Sequence, residues 1–402
     1  MQSLPPHERA ALERIEHDPM LSQVQAWAAV NSGSGNLAGL KTTAGLLADG
    51  FAKLPGEIVL VVPEPVERVR ADGVIETVEH GEHLLLTVRS DAPLQMLFTG
   101  HMDTVFAADH SFQEQRWLEN GVLNGPGVAD MKGGIAVMLA ALSAAESTED
   151  FAKVGYQVII NSDEEVGSSS SAALIAQSAK GKIAALTYEP ALPDGTLAGE
   201  RAGSGNFSIV FTGKSAHAGR NPHEGRNALL AAADLALRLK ALTRDGLSVN
   251  PARIEGGSPN NVVPDHAVLR VNFRPKTPDI VLQTDSDLRR LIASIEAEHN
   301  VSAHLHGNFG RPPKPIDEGA AKLFGLVKRC GADLDMEIAW KSTGGVCDGN
   351  NIAACGVPVV DTMGVRGGSI HSADEFMITE SLVERARLSA LTILRIANKG
   401  GL

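Results

Sequence analysis

The feature that most constrains this chain is an apolar, strand-like segment that ends in a histidine and a carboxylate two residues apart. Residues 95–99 (Gln-Met-Leu-Phe-Thr) are followed by Gly100, His101, Met and Asp103. An apolar run that stops at a glycine predicts a buried strand, and open α/β sheets build their sites at the carboxyl ends of strands. Side chains at positions i and i+2 share one face, so Asp103 can orient the imidazole of His101 toward a metal. The same residues also fit a histidine that ends a strand beside an aspartate in a turn.

The composition narrows the number of domains and the kinds of partner. A chain of 402 residues is longer than one hydrophobic core usually serves, which predicts two domains. The net charge of −12 argues against a surface that binds nucleic acid or an anionic membrane. Three cysteines without a C-x-x-C motif indicate a reducing compartment, and the N-terminus has no apolar signal region. No apolar run approaches the roughly 18 residues of a membrane span, so we expect a cytoplasmic protein.

A glycine-rich loop supplies a second candidate residue. The loop 125–134 (Gly-Pro-Gly-Val-Ala-Asp-Met-Lys-Gly-Gly) contains Asp130 and leads into an apolar helix that we predict at 135–145. Its spacing is not that of a phosphate-binding P-loop. Asp130 therefore either caps the helix or supplies a carboxylate to a site.

Two further strands also end in carboxylates. The apolar strand predicted at 154–160 precedes Glu164 and Glu165, and the strand predicted at 183–188 precedes Glu189. Adjacent carboxylates after a buried strand repel each other and lose hydration unless cations neutralise them. A solvated acidic turn is the alternative interpretation of the first pair.

The periodicity changes between residues 203 and 313. This segment predicts a β-α-β-β-α-β order, which forms a ferredoxin-like α+β sheet with two helices on one face. We expect it to be a separate unit inserted into a larger domain made of residues 1–202 and 314–402. The flanking parts alternate buried strands with helices, which predicts an α/β domain whose mostly parallel sheet is flanked by helices.

Five side chains from strand ends and loops point to one site: His101, Asp130, Glu165, Glu189 and, from a glycine-rich loop near the end of the chain, His371. Two imidazoles and three carboxylates suit two zinc-like divalent ions. One shared carboxylate would bridge ions roughly 3.5–4 Å apart and leave a position for water. The remaining carboxylate, Glu164, can take a proton from that water.

The chain resembles the zinc-dependent metallopeptidase family that contains glutamate carboxypeptidases, aminoacylases, acetylornithine deacetylase and succinyl-diaminopimelate desuccinylase. The likeness covers nearly the whole chain. It rests on these motifs, in order: Gly100-His101-Met-Asp103-Thr-Val, Gly127-Val-Ala-Asp130-Met-Lys-Gly-Gly, Asp163-Glu164-Glu165-Val-Gly, Tyr188-Glu189-Pro190, Ser215-Ala-His217-Ala-Gly and His371. A glutamate at the last carboxylate position and the Gly-Gly-Ser-Ile-His loop favour the glutamate-carboxypeptidase-like branch.

The resemblance implies which residue holds which metal. Asp130 bridges the two ions. His101 and Glu189 complete the coordination of one ion, and Glu165 and His371 complete the coordination of the other.

The resemblance also implies roles around the metals. Glu164 is the general base, Asp103 orients His101, and the peptide bond between Asp130 and Met131 is cis. The implied function of these groups is hydrolysis at a metal centre.

For the inserted unit, residues 203–313, the resemblance implies a lid that commonly dimerises. His217 would reach the active site of the partner subunit and steady the oxyanion of the tetrahedral intermediate. Asn261 and Arg274 match lid positions that bind substrate. We therefore expect a homodimer.

We predict a dinuclear zinc amidohydrolase, of metallocarboxypeptidase or aminoacylase type, that cleaves an amide beside a free carboxylate in an N-acyl amino acid or short peptide. Co²⁺ or Mn²⁺ are alternative metals. A deacylase of another small amide or conjugate is the alternative within the enzyme class. A catalytically silent binding protein on the same fold is the alternative outside it, but neither the base nor a ligand is missing. A serine hydrolase is disfavoured because no G-x-S-x-G motif occurs.

Overall fold

Two sheets, each with its own apolar core, organise the chain. The structure is a computed structural model that describes residues 4–119 and 121–402. The helices in these ranges are α1 (Pro6–Leu12), α2 (His17–Ala28), α3 (Leu37–Phe51), α4 (Gly134–Glu146), α5 (Ala172–Ala179), α6 (Ala228–Lys240), α7 (Pro278–His299), α8 (Glu318–Asp333), α9 (Asp348–Ala354) and α10 (Ser381–Lys399).

The strands in the same ranges vary from two to ten residues in length. The first nine are β1 (Glu57–Val61), β2 (Val66–Val69), β3 (Ile75–Val78), β4 (His83–Val88), β5 (Leu94–His101), β6 (Arg116–Glu119), β7 (Val122–Asn124), β8 (Val154–Asn161) and β9 (Ala184–Thr187). The other nine are β10 (Leu197–Arg201), β11 (Ser204–Thr212), β12 (Leu247–Gly256), β13 (His266–Pro275), β14 (Ser302–Arg311), β15 (Trp340–Thr343), β16 (Val359–Val360), β17 (Gly367–Gly368) and β18 (Phe376–Ile378).

The larger sheet has six strands in the order β1-β4-β8-β5-β9-β16. The last four run parallel, whereas β4 is antiparallel to β8 and β1 is antiparallel to β4. Helices cover both faces, so the central strands are apolar on both sides. In β5, Phe98 packs into the core that includes α4 and α10, and its neighbour Leu97 packs into the core that includes α5 and α9. The predicted α/β architecture is therefore confirmed.

The second sheet has four antiparallel strands in the order β12-β13-β11-β14. Its chain order, β11-α6-β12-β13-α7-β14, is the predicted β-α-β-β-α-β order. The two helices pack on one face around a separate core that includes Phe211, Leu235 and Ile295. We call residues 204–311 the lid, because the other face of this sheet borders the cleft above the larger sheet.

The two linkers between the lid and the larger domain run side by side. The backbone N–H of Arg201 donates to the carbonyl of Lys314, and the N–H of Lys314 donates to the carbonyl of Arg201, each at 2.9 Å. Both side chains also approach the buried carboxylate of Asp361, with Nε of Arg201 at 2.7 Å and Nζ of Lys314 at 3.1 Å from Oδ2. One carboxylate of the larger domain therefore anchors both crossings.

A hairpin formed by β2 and β3 extends from the larger domain onto the lid sheet. Nη2 of Arg270 donates to the carbonyl of Val69 at 2.9 Å, and Nε2 of His306 lies 3.2 Å from the carbonyl oxygen of Glu67. These contacts join the two units at a distance from the linkers. This hairpin was not predicted from the sequence, because its strands have only four residues each and carry little apolar patterning.

The segments predicted at 95–99, 135–145, 154–160 and 183–188 correspond to β5, α4, β8 and β9. The first of them differs at its end, because β5 continues through Gly100 to His101 and does not stop at the glycine. Both residues pair with the end of β8, so the histidine is held within the sheet itself.

One helical segment in the chain as described, Val128–Glu146, is long and apolar enough to cross a membrane by those two criteria alone. No such segment was expected from the sequence. It arises because the turn before α4 adds to the length of the helix. Since 89% of its apolar stretch is buried inside the protein, its side chains belong to the hydrophobic core.

Candidate metal centre

The carboxyl ends of three parallel strands form the base of the candidate site. His101 is the last residue of β5, Glu165 follows β8 in a short 3-10 turn, and Glu189 lies two residues beyond β9. Because β5 pairs in parallel with both β8 and β9, these three ends lie at the same edge of the sheet. The site therefore forms where the strand pattern predicts it.

Asp130 lies between two histidines and offers one carboxylate oxygen to each. Its Oδ1 is 3.1 Å from Nε2 of His101, and its Oδ2 is 3.3 Å from Nε2 of His371. Nε2 of His371 is also 3.1 Å from Oε2 of Glu165, and Nε2 of His101 is 3.8 Å from Oε2 of Glu189. The five residues thus form two halves that share Asp130, in the grouping that the resemblance implies.

Asp103 is fully buried behind His101. Nδ1 of His101 lies 3.1 Å from the backbone carbonyl oxygen of Asp103 and 3.3 Å from its Oδ1, which leaves Nε2 of the imidazole facing Asp130. The same carboxylate accepts the backbone N–H groups of Glu164 and Glu165, both at 3.2 Å. Asp103 can therefore orient the histidine and also fix the turn that carries the two glutamates.

Another buried carboxylate, Glu375, fixes the turn that carries Asp130. Its Oε1 accepts the backbone N–H groups of Ala129 and Asp130, each at 3.0 Å, and its Oε2 accepts that of Gly127 at 3.1 Å. The peptide bond between Asp130 and Met131 is cis, as the resemblance implies. Since Glu375 also lies in the loop that follows His371, it connects the two segments that supply these ligands.

The charged groups of the site change one another's pKa. Burial alone would raise the pKa of Asp130, but hydrogen bonds with His101 and His371 hold it below its ordinary value. Hydrogen bonds with Asp130 and then Glu165 raise the pKa of His371 to about 10. Burial raises the pKa of Glu189 to about 7, although His101 acts in the opposite direction. Such an excess of buried carboxylate is the environment that divalent cations neutralise.

The donor set fits divalent metal ions. Donor atoms of His101, Asp130 and Glu165 lie within 4.8 Å of one another, and so do those of His101, Glu164 and Glu189. Imidazole nitrogens and carboxylate oxygens in a buried, negative pocket match Zn²⁺ and similar ions.

Glu164, the predicted general base, lies beside the ligands and contacts an arginine that the sequence analysis did not identify. Its Oε1 accepts a hydrogen bond from Nη2 of Arg311 at 2.7 Å. Burial raises the pKa of Glu164 well above its ordinary value, and the charge of Arg311 counteracts this effect. The one signal in the sequence was an arginine directly before the Pro-Pro pair of the return linker.

A cavity of about 1500 Å³ extends from this centre to the lid sheet. Asp130, Glu164 and His371 line it on the side of the larger domain, and Arg274 lines it on the side of the lid. Nε of Arg274 donates to Oδ1 of Asn272 at 2.9 Å, and no carboxylate of the part of the chain that the structure describes pairs with its guanidinium. Arg274 is therefore placed to bind an anionic group in the cavity.

The other two predicted lid residues, His217 and Asn261, are exposed and do not line this cavity within one chain. They lie next to each other, since the N–H of Ala218 donates to the carbonyl of Asn261 at 2.9 Å. Nδ1 of His217 accepts the N–H groups of Gly219 and Arg220 at 3.1 and 3.2 Å. A neutral ring then carries its proton on Nε2, which is left to donate outward.

Replacement of Glu375 tests whether its hydrogen bonds fix the turn that carries Asp130. Glu375→Ala leaves three buried N–H groups without their acceptor, and we expect a loss of metal affinity of about 10–100-fold, as for other groups that support a ligand. Glu375→Gln keeps one acceptor oxygen and should lose less metal affinity than Glu375→Ala. Chelator competition on purified protein measures both. Asp374→Asn, at the exposed neighbouring carboxylate, is the matched control, and wild-type affinity in Glu375→Ala would contradict the assignment.

Comparisons with known proteins agree with this geometry. The sequence profile of Peptidase family M20/M25/M40 matches residues 97–395. Carboxypeptidase G2 from Pseudomonas sp. (strain RS-16) is 29% identical over 327 residues, which cover 78% of this chain and 77% of that protein. The aminopeptidase PepT from Bacillus cereus ATCC 10987 superposes with a TM-score of 0.72 at 22% identity, over 96% of this chain and 100% of that chain.

The YXEP protein of Bacillus subtilis, described as a dinuclear metal binding peptidase from the M20 family, superposes with a TM-score of 0.64 at 16% identity, over 95% of this chain and 98% of that chain. These structural likenesses show a shared fold, and the profile match covers most of the sequence. The chain therefore belongs to Peptidase family M20/M25/M40, and it is a hydrolase that acts on peptide-type C–N bonds.

Proposed function

We propose that this hydrolase uses two divalent metal ions to cleave an amide bond beside a free carboxylate, in an N-acyl amino acid or a short peptide. The position of Asp130 between two histidines carries this proposal, because a carboxylate shared by two ions is typical of two-metal hydrolases. The dinuclear site of the B. subtilis protein supports it. We expect Zn²⁺, with Co²⁺ or Mn²⁺ as alternatives.

Glu164 would transfer the proton of the reaction, and Asp103 would orient a metal ligand. Bound ions would polarise the scissile carbonyl and make the attacking water more acidic. Glu164 accepts a proton from this water as the oxygen attacks the carbonyl carbon. It then donates the proton to the leaving nitrogen as the C–N bond breaks. Asp103 keeps the imidazole of His101 oriented through both steps.

The charges in the cavity favour a substrate with a free carboxylate. Two cations that line it, Arg274 and Lys341, form no ion pair with any described residue. Four other arginines of the lining are already paired with carboxylates: Arg68, Arg201, Arg270 and Arg311. A free guanidinium binds a carboxylate through two parallel hydrogen bonds. Carboxypeptidase G2 is a carboxypeptidase by name, which supports the same class of substrate.

We also infer that the chain forms a homodimer through the lid. Helices α6 and α7 expose large apolar side chains on the outside of the lid, with Leu237 74% exposed and Leu282 72% exposed. Large apolar side chains exposed on both helices of the same lid face favour a protein interface there. In this dimer, Nε2 of His217 from one protomer enters the cavity of its partner and donates a hydrogen bond to the oxyanion.

The substrate class is tested with N-acyl amino acids and dipeptides, each paired with the same compound amidated at its free carboxylate. Metal-loaded enzyme should hydrolyse the free acids with the higher kcat/KM, because the amides cannot pair with Arg274. Equal or faster hydrolysis of the amidated compounds would contradict the proposed class and favour a deacylase of another small amide.

The role of Glu164 is tested by Glu164→Gln. We expect the variant to bind metal as the wild type does and to lose about 10²–10⁴-fold in kcat, the usual contribution of a general base. Metal analysis of the same preparation is the control. Near-normal kcat in the metal-loaded variant would remove Glu164 from the mechanism.

The dimer is tested by mixing Glu164→Gln and His217→Ala proteins under subunit exchange. His217→Ala alone should lose about 10²–10³-fold in kcat, the scale of one oxyanion donor. If His217 acts across the interface, a mixed dimer contains one intact site and regains activity. Each variant mixed with itself is the control. No gain after confirmed exchange would place His217 outside the partner's site.

A further inference from the structure

Arg311 is the residue through which the lid contacts the proposed base. It is the last residue of β14 and pairs in the lid sheet with Ser204, the first residue of β11. Its side chain is 4% exposed and leaves the lid for the larger domain. There Nη2 donates to Oε1 of Glu164 at 2.7 Å and to Oγ of Ser168 at 2.8 Å.

The other terminal nitrogen of the guanidinium, Nη1, also donates two hydrogen bonds. Nη1 donates to Oδ1 of Asp348 and, at 2.8 Å, to Oδ1 of Asn351. Asp348 is in turn held by Nδ2 of Asn161 at 2.9 Å and by Oγ of Ser168 at 2.6 Å. Because Asn161 ends β8 and Asp348 begins α9, this part of the network belongs to the rigid frame of the larger domain.

Both Nη atoms of Arg311 therefore have two side-chain acceptors each, and Nη2 also lies 3.5 Å from the backbone carbonyl oxygen of Glu164. The guanidinium is planar, so fixing one side on Asp348 and Asn351 fixes the direction in which the other side meets Glu164. Among the described side chains, Arg311 alone donates a hydrogen bond to the Glu164 carboxylate. The position of that carboxylate consequently depends on the arginine.

We propose that Arg311 is a positioning residue that aligns the carboxylate of Glu164 from the end of a lid strand. The inference rests on the proposed role of Glu164 as the general base. A base works only within hydrogen-bond reach of the proton it takes, and small displacements of a catalytic group lower the rate steeply. Since Arg311 ends a strand of the lid sheet, the lid supplies the group that holds the base of the larger domain.

The alternative is that Arg311 binds the substrate directly, because it also lines the cavity. The two roles predict different changes in KM and kcat. Loss of a substrate contact that is present in both ground and transition states raises KM, whereas misalignment of the base lowers kcat. They also separate in a double-mutant cycle, because a residue that acts through Glu164 has nothing left to align once the base is removed.

The test variant is Arg311→Lys, which keeps a charge against the two carboxylates but cannot hold the four acceptors in one plane. We expect metal content and the unfolding midpoint to stay close to wild type, and kcat to fall by up to about 10²-fold with KM nearly unchanged. In single-turnover reactions with excess enzyme, Glu164→Gln/Arg311→Lys should be no slower than Glu164→Gln. A raised KM, or the same loss in both backgrounds, would overturn the proposal.

Lys314→Met is the matched control. It removes a buried cation from the same linker, where its partner Asp361 retains Arg201 and where it does not contact Glu164. We expect its kcat to stay close to wild type, and a loss equal to that of Arg311→Lys would assign the effect to the linker and overturn the proposal. If Arg311→Lys does not fold, the cycle is repeated with Asn351→Ala, which removes one anchor of Arg311 without changing any charge. An unchanged kcat in that variant would then overturn the proposal.

The cycle also separates this inference from the proposed function. If Glu164→Gln itself turns over normally, the proposed base is wrong and the role of Arg311 fails with it. If Glu164→Gln is inactive but Arg311→Lys adds the same loss in both backgrounds, the base stands and only the positioning role fails.

Discussion

The carboxylate of Asp130 is the interaction on which the site depends, because each of its two oxygens contacts one of the two histidines. Each histidine reaches it from a different part of the fold, one from the end of a central strand and the other from a loop near the end of the chain. Asp130 is itself held through its own backbone by Glu375. The two halves of the metal centre are therefore not independent, since a shift of the turn before α4 would move the contact that they share.

The parts of this site that the sequence predicts are those that follow from local patterning. An apolar run marks a buried strand, and the residues just beyond it lie at the edge where parallel strands end together. His101, Glu165 and Glu189 could be found in this way, because each lies directly beyond such a run. Asp130 and His371 were candidates from the sequence too, but their assignment to particular ions needed the resemblance, since a glycine-rich loop does not by itself indicate where its side chains lie.

The parts that the sequence did not reveal are pairings between distant segments. Arg311 and Glu164 are 147 residues apart, and Glu375 and Asp130 are 245 residues apart. The sequence around Arg311 or Glu375 shows no pattern that indicates its partner, because a hydrogen bond between distant segments leaves no periodic signal in either of them. The contacts of the β2–β3 hairpin were not predicted for a related reason. Lid side chains contact its backbone carbonyls, which every sequence supplies.

The adjacent linkers of the lid have a consequence for how such an enzyme can vary. Arg201 and Lys314 exchange both of their backbone hydrogen bonds, so the chain leaves the larger domain and returns to it at one place. For the larger domain, the lid takes the place of a turn between two neighbouring extended segments. A different insertion at this point would leave the six-stranded sheet and the ends of β5, β8 and β9 unchanged. The lid surface that faces the substrate can therefore vary while the strand ends that carry the metal ligands stay in place, provided that the contacts of Arg311 and of the β2–β3 hairpin are kept.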